Sequence, residues 1–287
     1  GASDYVAENP PFGAVFTYYL KEEPLTKQKI RKEEEKKKQE EDIPFPGWET
    51  LEDEKHEVKP FLVFTIKDEE GNVVNRVTSP AKKGFQRVSW NLRQASKRSI
   101  RMETAEKDIS NSSGYLVSPG TYSVTLSLQK QEKTVQLSDK QMFVVKPLRG
   151  GSLEGATTEE IENYRKEVLA VQRDLEITGS TLSEAKKRIA AMKQAYYRMD
   201  REVPQLLAQI EKLEQKLRQL NVDLNGYGTK AEIGEKDQPT PGERFSVASS
   251  GLSTSYGPTE LHRQSLKLCG EELNPIMESL KQATEQK

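Results

Sequence analysis

"IENYRKEVLAVQRDLEITGSTLSEAKKRIAAMKQAY", residues 161–196, decides the fold class of the second half of the chain. Apolar residues return every seven positions at Ile161, Val168, Leu175, Leu182, Ile189 and Tyr196, with Tyr164, Val171, Thr178, Ala185, Met192 and Met199 three places behind. Two inward positions per seven lay a stripe along one face of a helix. The phase survives Gly179-Ser180, although Gly costs a helix interior roughly 1 kcal/mol relative to Ala. The spacing therefore predicts one long helix with a weak point at Thr178 to Ser180. Thr157 or Thr158 can cap its start, and Glu160 follows Thr157 at capping-box distance.

Downstream, Val203, Leu206, Ile210, Leu213, Leu217, Leu220 and Leu224 alternate steps of three and four up to Asn225-Gly226. Pro204 fits the first turn of such a helix. A connection rich in Gly, Pro and Ser is expected from Tyr227 to Gly257. Gly257-Pro258-Thr259 then opens a last helix carrying Leu266, Cys269, Leu273, Ile276 and Leu280. Pro275 is expected to bend or interrupt it. Helices at about 158–200, 203–225 and 258–285 would bury one seam, the second and third lying back antiparallel on the first. Residues 151–287 are thus read as an elongated antiparallel three-helix bundle, satisfied within one chain.

Upstream of residue 150 the rhythm changes to every second residue. Phe61 to Lys67 and Val73 to Thr78 are β-branched and apolar, and Asp68 to Asn72 supplies a turn in which Gly71 can take positive φ. In Gln86 to Leu92, Val88, Trp90 and Leu92 share a face; in Thr121 to Leu128, Tyr122, Val124, Leu126 and Leu128 do. With Ala14 to Leu20, Lys133 to Leu137 and Gln141 to Lys146, about seven short strands separated by turns predict an antiparallel β-sandwich over residues 1–150. The fold class is α+β, in two domains.

Two stretches interrupt the strands. Residues 22–59 contain Arg31 to Asp42 (RKEEEKKKQEED), where Glu33 precedes Lys37 and Glu34 precedes Lys38 in the favourable order. Almost nothing apolar is there to dock it, so an exposed charged helix inserted between the first two strands is expected. Gln94 to Ser113 is polar and reads as a long loop.

Composition narrows the function classes. Among 287 residues, 31% are charged and 34% hydrophobic, with mean hydropathy -0.79, which suits helices exposed on most sides. Forty-four Lys and Arg against 45 Asp and Glu leave a net charge of -1, with no sequence-independent attraction to nucleic acid or anionic lipid. No run approaches the roughly 18 apolar residues of a membrane span. Gly1 reads as the remnant of a removed tag, so a natural N-terminal portion is expected to be missing.

No enzyme signature appears. Asp53-Glu54 and Glu159-Glu160 are adjacent carboxylates in charged segments and read as solvated surface, not as a glycosidase acid and base. His56, His262 and Cys269 lack partners at metal-ligand spacing, and Asp68-Glu69-Glu70-Gly71 lacks the alternating oxygen ligands of a calcium loop. Cys269 falls on an apolar stripe and reads as a small core residue. No catalytic, cofactor or metal residue is assigned. Tyr18, Tyr19, Trp48 and Tyr115 could present ring faces to sugars and are the candidate carbohydrate contacts; core packing is the competing reading.

"NPPFGAVFTYYLKEE" (9–23), "FLVFTIKDEEGNVVNRVTSPAKKGFQRVSWNLR" (61–93), "GYLVSPGTYSVTLSL" (114–128), "FVVKPL" (143–148) and "YGPTELHRQSLKLCGEELNPIMESL" (256–280) together resemble the C-terminal region of bacterial sortilin-type, BNR-repeat β-propeller proteins. These occur notably in Bacteroidetes and are often described as glycosyl hydrolases. The strand-rich part is also similar to the immunoglobulin-like or fibronectin type III-like domain of the flagellar hook-capping family, in which Trp90 would be core and Pro119 to Tyr122 would lead into a late strand. The resemblance implies a propeller preceding this region, Asn9 to Ala14 as the junction, and a periplasmic or secreted location. It brings no catalytic residue, since no position here matches one. The expected role is a non-catalytic accessory region that supports, spaces or assembles an exported propeller protein, with a carbohydrate-binding module as the alternative. The expected partners are that propeller and a polysaccharide or protein.

Overall fold

The structure, a computed structural model, describes residues 9–38, 43–100, 114–147, 155–254 and 256–285. The chain divides into two compact units, one comprising Gly1–Ser96 with Ala105–Leu148, the other Lys97–Thr104 with Arg149–Lys287. The fold is mixed α and β, with two antiparallel sheets and, among the described residues, seven α-helices. No described helix is long and apolar enough to cross a membrane.

In the first unit, β1 (Ala14–Leu20) pairs with β4 (Gly84–Trp90), placing Ala14 opposite Trp90 and Phe16 opposite Val88. A second sheet has the order β3 (Val73–Pro80), β2 (Phe61–Lys67), β5 (Gly120–Lys130), β6 (Lys133–Gln136), with β7 (Gln141–Val145) also on β5. Alternation in the sequence becomes alternation in burial, because successive side chains leave opposite faces of a strand. Leu62, Phe64 and Ile66 of β2 are buried with Trp90, Tyr122 and Val124. Phe16 of the first sheet stacks on Phe64 of the second at 5.8 Å, and Trp90 meets Tyr122 edge-on at 5.8 Å. Each such apolar side chain contributes roughly 1.5–3 kcal/mol by leaving water. Asn75 Nδ2 and Trp90 Nε1 both donate to the Arg93 carbonyl, at 2.7 and 2.8 Å, so these two buried donors are satisfied.

Two turns show local chemistry setting the path. Asp68 accepts from the Asn72 N–H at 2.7 Å, and Gly71 has φ +85°, closing the β2–β3 hairpin. Before β1, Gly13 has φ +114°, and a Cβ there would lie 1.9 Å from the Trp90 carbonyl oxygen. Only glycine lets the chain enter the first sheet this close to β4.

The charged insertion differs from expectation. It holds two helices, α1 (Lys27–Lys37) and α2 (Trp48–His56), of which only the first was legible. Arg31 donates from Nε and Nη2 to the two carboxylate oxygens of Glu54 at 2.7 and 2.8 Å, so α1 is docked by an ion pair, not left free. Arg31–Glu35 and Lys29–Glu23 form in place of Glu33–Lys37 and Glu34–Lys38 among the described residues. Residues 39–42 of the expected helix, and 101–113 of the expected loop, lie outside the described residues.

In the second unit, α3 (Thr158–Tyr197) runs uninterrupted through Gly179, about 60 Å at 1.5 Å per residue. Thr157 and Glu160 form the capping box. Next, α4 (Pro204–Asn225) returns antiparallel to it, with Lys193 paired to Glu214 and Lys186 bonded to Asn221. The stretch after it is not a bare connection: α5 (Gly228–Glu232) and α6 (Pro241–Ser250) carry the chain back to the start of α3. There the Ala156 N–H bonds the Tyr256 carbonyl at 2.8 Å.

The last helix, α7 (Glu260–Glu285), consequently runs in the same direction as α3, correcting the expected antiparallel placement of the third helix. Its Arg263 lies over the Tyr164 ring near the start of α3, and its Leu280 and Ala283 join the cluster of Leu182, Ala185 and Ile189. Pro275 does not interrupt α7. Leu217, Leu220, Leu224, Leu273 and Ile276 complete this second core. One further departure concerns the expected seam: Met192 is 49% exposed, and Met199, which lies beyond the end of α3 at Tyr197, is 42% exposed.

Candidate functional site

The four aromatic candidates do not converge on one platform. Tyr18, on the inward phase of β1, packs its ring 5.3 Å from Phe64 and shares a 3.1 Å hydrogen bond with Ser79, so it belongs to the core. Tyr115 is half-buried beside the Arg93–Leu116 bridge. Tyr19 and Trp48 are exposed, each with a ring partner that was not anticipated.

Tyr19 leaves the outward face of β1, where register sets it opposite Phe85 of β4. Their centroids are 4.9 Å apart with planes tilted 50°, and both rings are open to solvent, Phe85 at 78% exposure. Thr17 and Arg87, and Val15 and Ser89, pair alongside on the same outward phase. This strip offers flat apolar faces beside hydroxyl and guanidinium donors, a combination able to stack on and hydrogen-bond a sugar or a peptide. The signal for Phe85 lay in the alternation itself. With Val88 and Trp90 inward, counting back along β4 puts residue 85 on the wet side. Trp48, at the first position of α2, meets Phe45 at 4.9 Å as a separate exposed pair.

Among the described residues, the carboxylates whose acidity is clearly shifted are held low by partners in the fold. Arg31 hydrogen bonds depress Glu54, the Thr157 backbone depresses Glu160, and Lys29 depresses Glu23. Lys193 and Arg218 depress Glu214, while Lys230 and the Gln238 N–H depress Asp237. Burial pushes Glu176 up, yet the Ser99 N–H, the Gln172 amide, Arg98 and the Ser99 hydroxyl outweigh it and leave the carboxyl low.

A groove of about 640 Å³ lies where α4 ends and α6 begins against α7, bordered by Tyr227, Asp237, Thr240, Glu271, Glu272 and Pro275. Asp237 is paired with Lys230 and Glu272 with Arg244. Cys269 is fully buried, donates to the Pro241 carbonyl, and burial pushes its thiol up to about 11, which suits packing and not nucleophilic attack. Among the described residues no group of three His, Cys, Asp or Glu side chains is placed to hold a metal ion.

Comparison of the chain with protein-family models, with curated proteins and with solved structures found no match.

Proposed function

We propose that this chain is a non-catalytic accessory region in which an immunoglobulin-like sandwich, formed by the two sheets, and an elongated helical bundle support and space a larger exported protein. The resemblance to the C-terminal region of sortilin-type propeller proteins supplies the context, with the propeller as the partner and the periplasm or exterior as the location. The observation that carries the reading is the use made of the perturbed carboxylates. Each is depressed and held by a cap or an ion pair within the fold, whereas general acid catalysis requires a carboxyl raised toward neutrality. Sequencing upstream of Gly1 tests the context. Propeller repeats with sialidase-like Asp boxes are expected there, and an upstream region without them refutes it.

The exposed Tyr19–Phe85 pair favours a second reading, a carbohydrate-binding module. It requires the chain to be retained on an immobilised polysaccharide and released by Tyr19→Ala or Phe85→Ala. Equal retention of both variants eliminates that reading.

A further inference from the structure

The outward face of the β1–β4 ladder carries charge of one sign beside its rings. Register sets Val15 opposite Ser89, Thr17 opposite Arg87 and Tyr19 opposite Phe85. All six are exposed, while the residues between them along each strand are at least partly buried, so the six form one strip. Arg87 is diagonal to Tyr19 across the ladder, a spacing of about 7–8 Å that long side chains span. Among the described residues Arg87 has no ion-pair partner, whereas Arg31, Arg165 and Arg244 are each taken up by a carboxylate. No carboxylate stands on the strip. At its Leu20–Gly84 end lie Lys21, Lys82 and Lys83, all exposed, against Glu22 and Glu23, and Glu23 is engaged by Lys29.

We propose that this strip binds a polysaccharide bearing carboxylates, that is, a polymer of uronic acids, with Tyr19 and Phe85 stacking on sugar faces and the Arg87 guanidinium donating to a carboxylate. The inference rests on the carbohydrate-binding reading and narrows it to acidic sugars. Charge complementarity selects this occupant: a neutral glycan would use the rings and the Thr17 and Ser89 hydroxyls and leave the cations without partners. The planar guanidinium fork matches both oxygens of a carboxylate with two parallel N–H···O bonds, and the lysines at the end of the ladder extend the attraction along an anionic chain.

Biolayer interferometry of the whole chain tests the proposal, on immobilised polygalacturonate, alginate and hyaluronan, on the methyl ester of each, and on dextran sulfate and polyglutamate. At least one uronate polymer is expected to bind at least about tenfold more tightly than its ester, a preference that Arg87→Gln abolishes and Arg87→Lys restores only in part. Tyr19→Ala is expected to weaken acid and ester alike. Equal affinity for each acid and its ester, or a preference that survives Arg87→Gln, overturns the acidic-sugar assignment and leaves the carbohydrate-binding reading standing. Equally tight binding of dextran sulfate or polyglutamate overturns it too, assigning the attraction to charge alone. Failure to bind any of the sugar polymers, esters included, ends both.

Discussion

Gly13 is the position at which a single methyl group should do most damage to the strand-rich unit. Its φ of +114° lies in a region that side chains rarely enter, and an added Cβ would sit 1.9 Å from the Trp90 carbonyl oxygen. Real Cβ atoms essentially never approach closer than 3.0 Å, so β1 would have to retreat by 3.0 - 1.9, about 1.1 Å, from the strand it pairs with. The backbone conformation alone costs about 1–3 kcal/mol. Loosening one or two ladder hydrogen bonds at the Ala14–Trp90 end adds about 0.5–1.5 kcal/mol each. Gly13→Ala should therefore destabilise the unit by about 2–5 kcal/mol, a large part of the 5–15 kcal/mol that typically holds a domain together. Thermal unfolding followed through Trp90 fluorescence measures this best in a Trp48→Phe background, since Trp48 is 79% exposed and reports on solvent. At about 2–4 °C per kcal/mol, the midpoint should fall by roughly 4–20 °C. A Gly13→Ala protein melting within about 1 °C of its parent would refute the reasoning.

Other consequences are smaller and local. The Arg31 bond that depresses Glu54 makes the α1–α2 contact fully stable above the ordinary carboxylate value of 4.5 and weakens it as the pH falls below that value through the depressed one; protection factors of α1 amides, corrected for intrinsic exchange, should fall over that acid range and stay constant there in Glu54→Gln. Thr240→Ala removes the side chain that caps α6 and should cost about 1 kcal/mol, read as faster amide exchange in residues 241–250 with α4 unchanged. Cys269, buried with a thiol raised to about 11, should resist iodoacetamide at pH 8 in the native protein and react on addition of denaturant; rapid native labelling would place it at the surface.

What could be read in the sequence was whatever obeys a local period. Phe61 to Lys67 and Ala14 to Leu20 form strands over the expected residues, and Thr157 with Glu160 caps α3 as the spacing indicated. The hidden features depend on distant partners. Arg31 meets Glu54 across 23 residues of charged sequence, where any of several acids could have served. The start of α6 was signalled by Thr240-Pro241-Gly242-Glu243, a capping box with proline at the first helical position, but the surrounding Gly, Pro and Ser residues masked it. The direction of α7 followed from that omission, because a chain without α5 and α6 would not be carried back to Tyr164. Of the aromatic candidates, alternation distinguishes Tyr18 from Tyr19, yet the Phe85 partner of Tyr19 became evident only with the β1–β4 register.

Titration of the side-chain carboxyls by carbon-detected NMR tests the central claim most directly, namely that the acidic residues of this protein serve its architecture. Glu23, Glu54, Glu160, Glu176, Glu214 and Asp237 are expected to titrate below their ordinary values and to lose that depression when their partners are removed. A carboxyl that instead holds its proton above about pH 6, the condition of a general acid, would contradict the account.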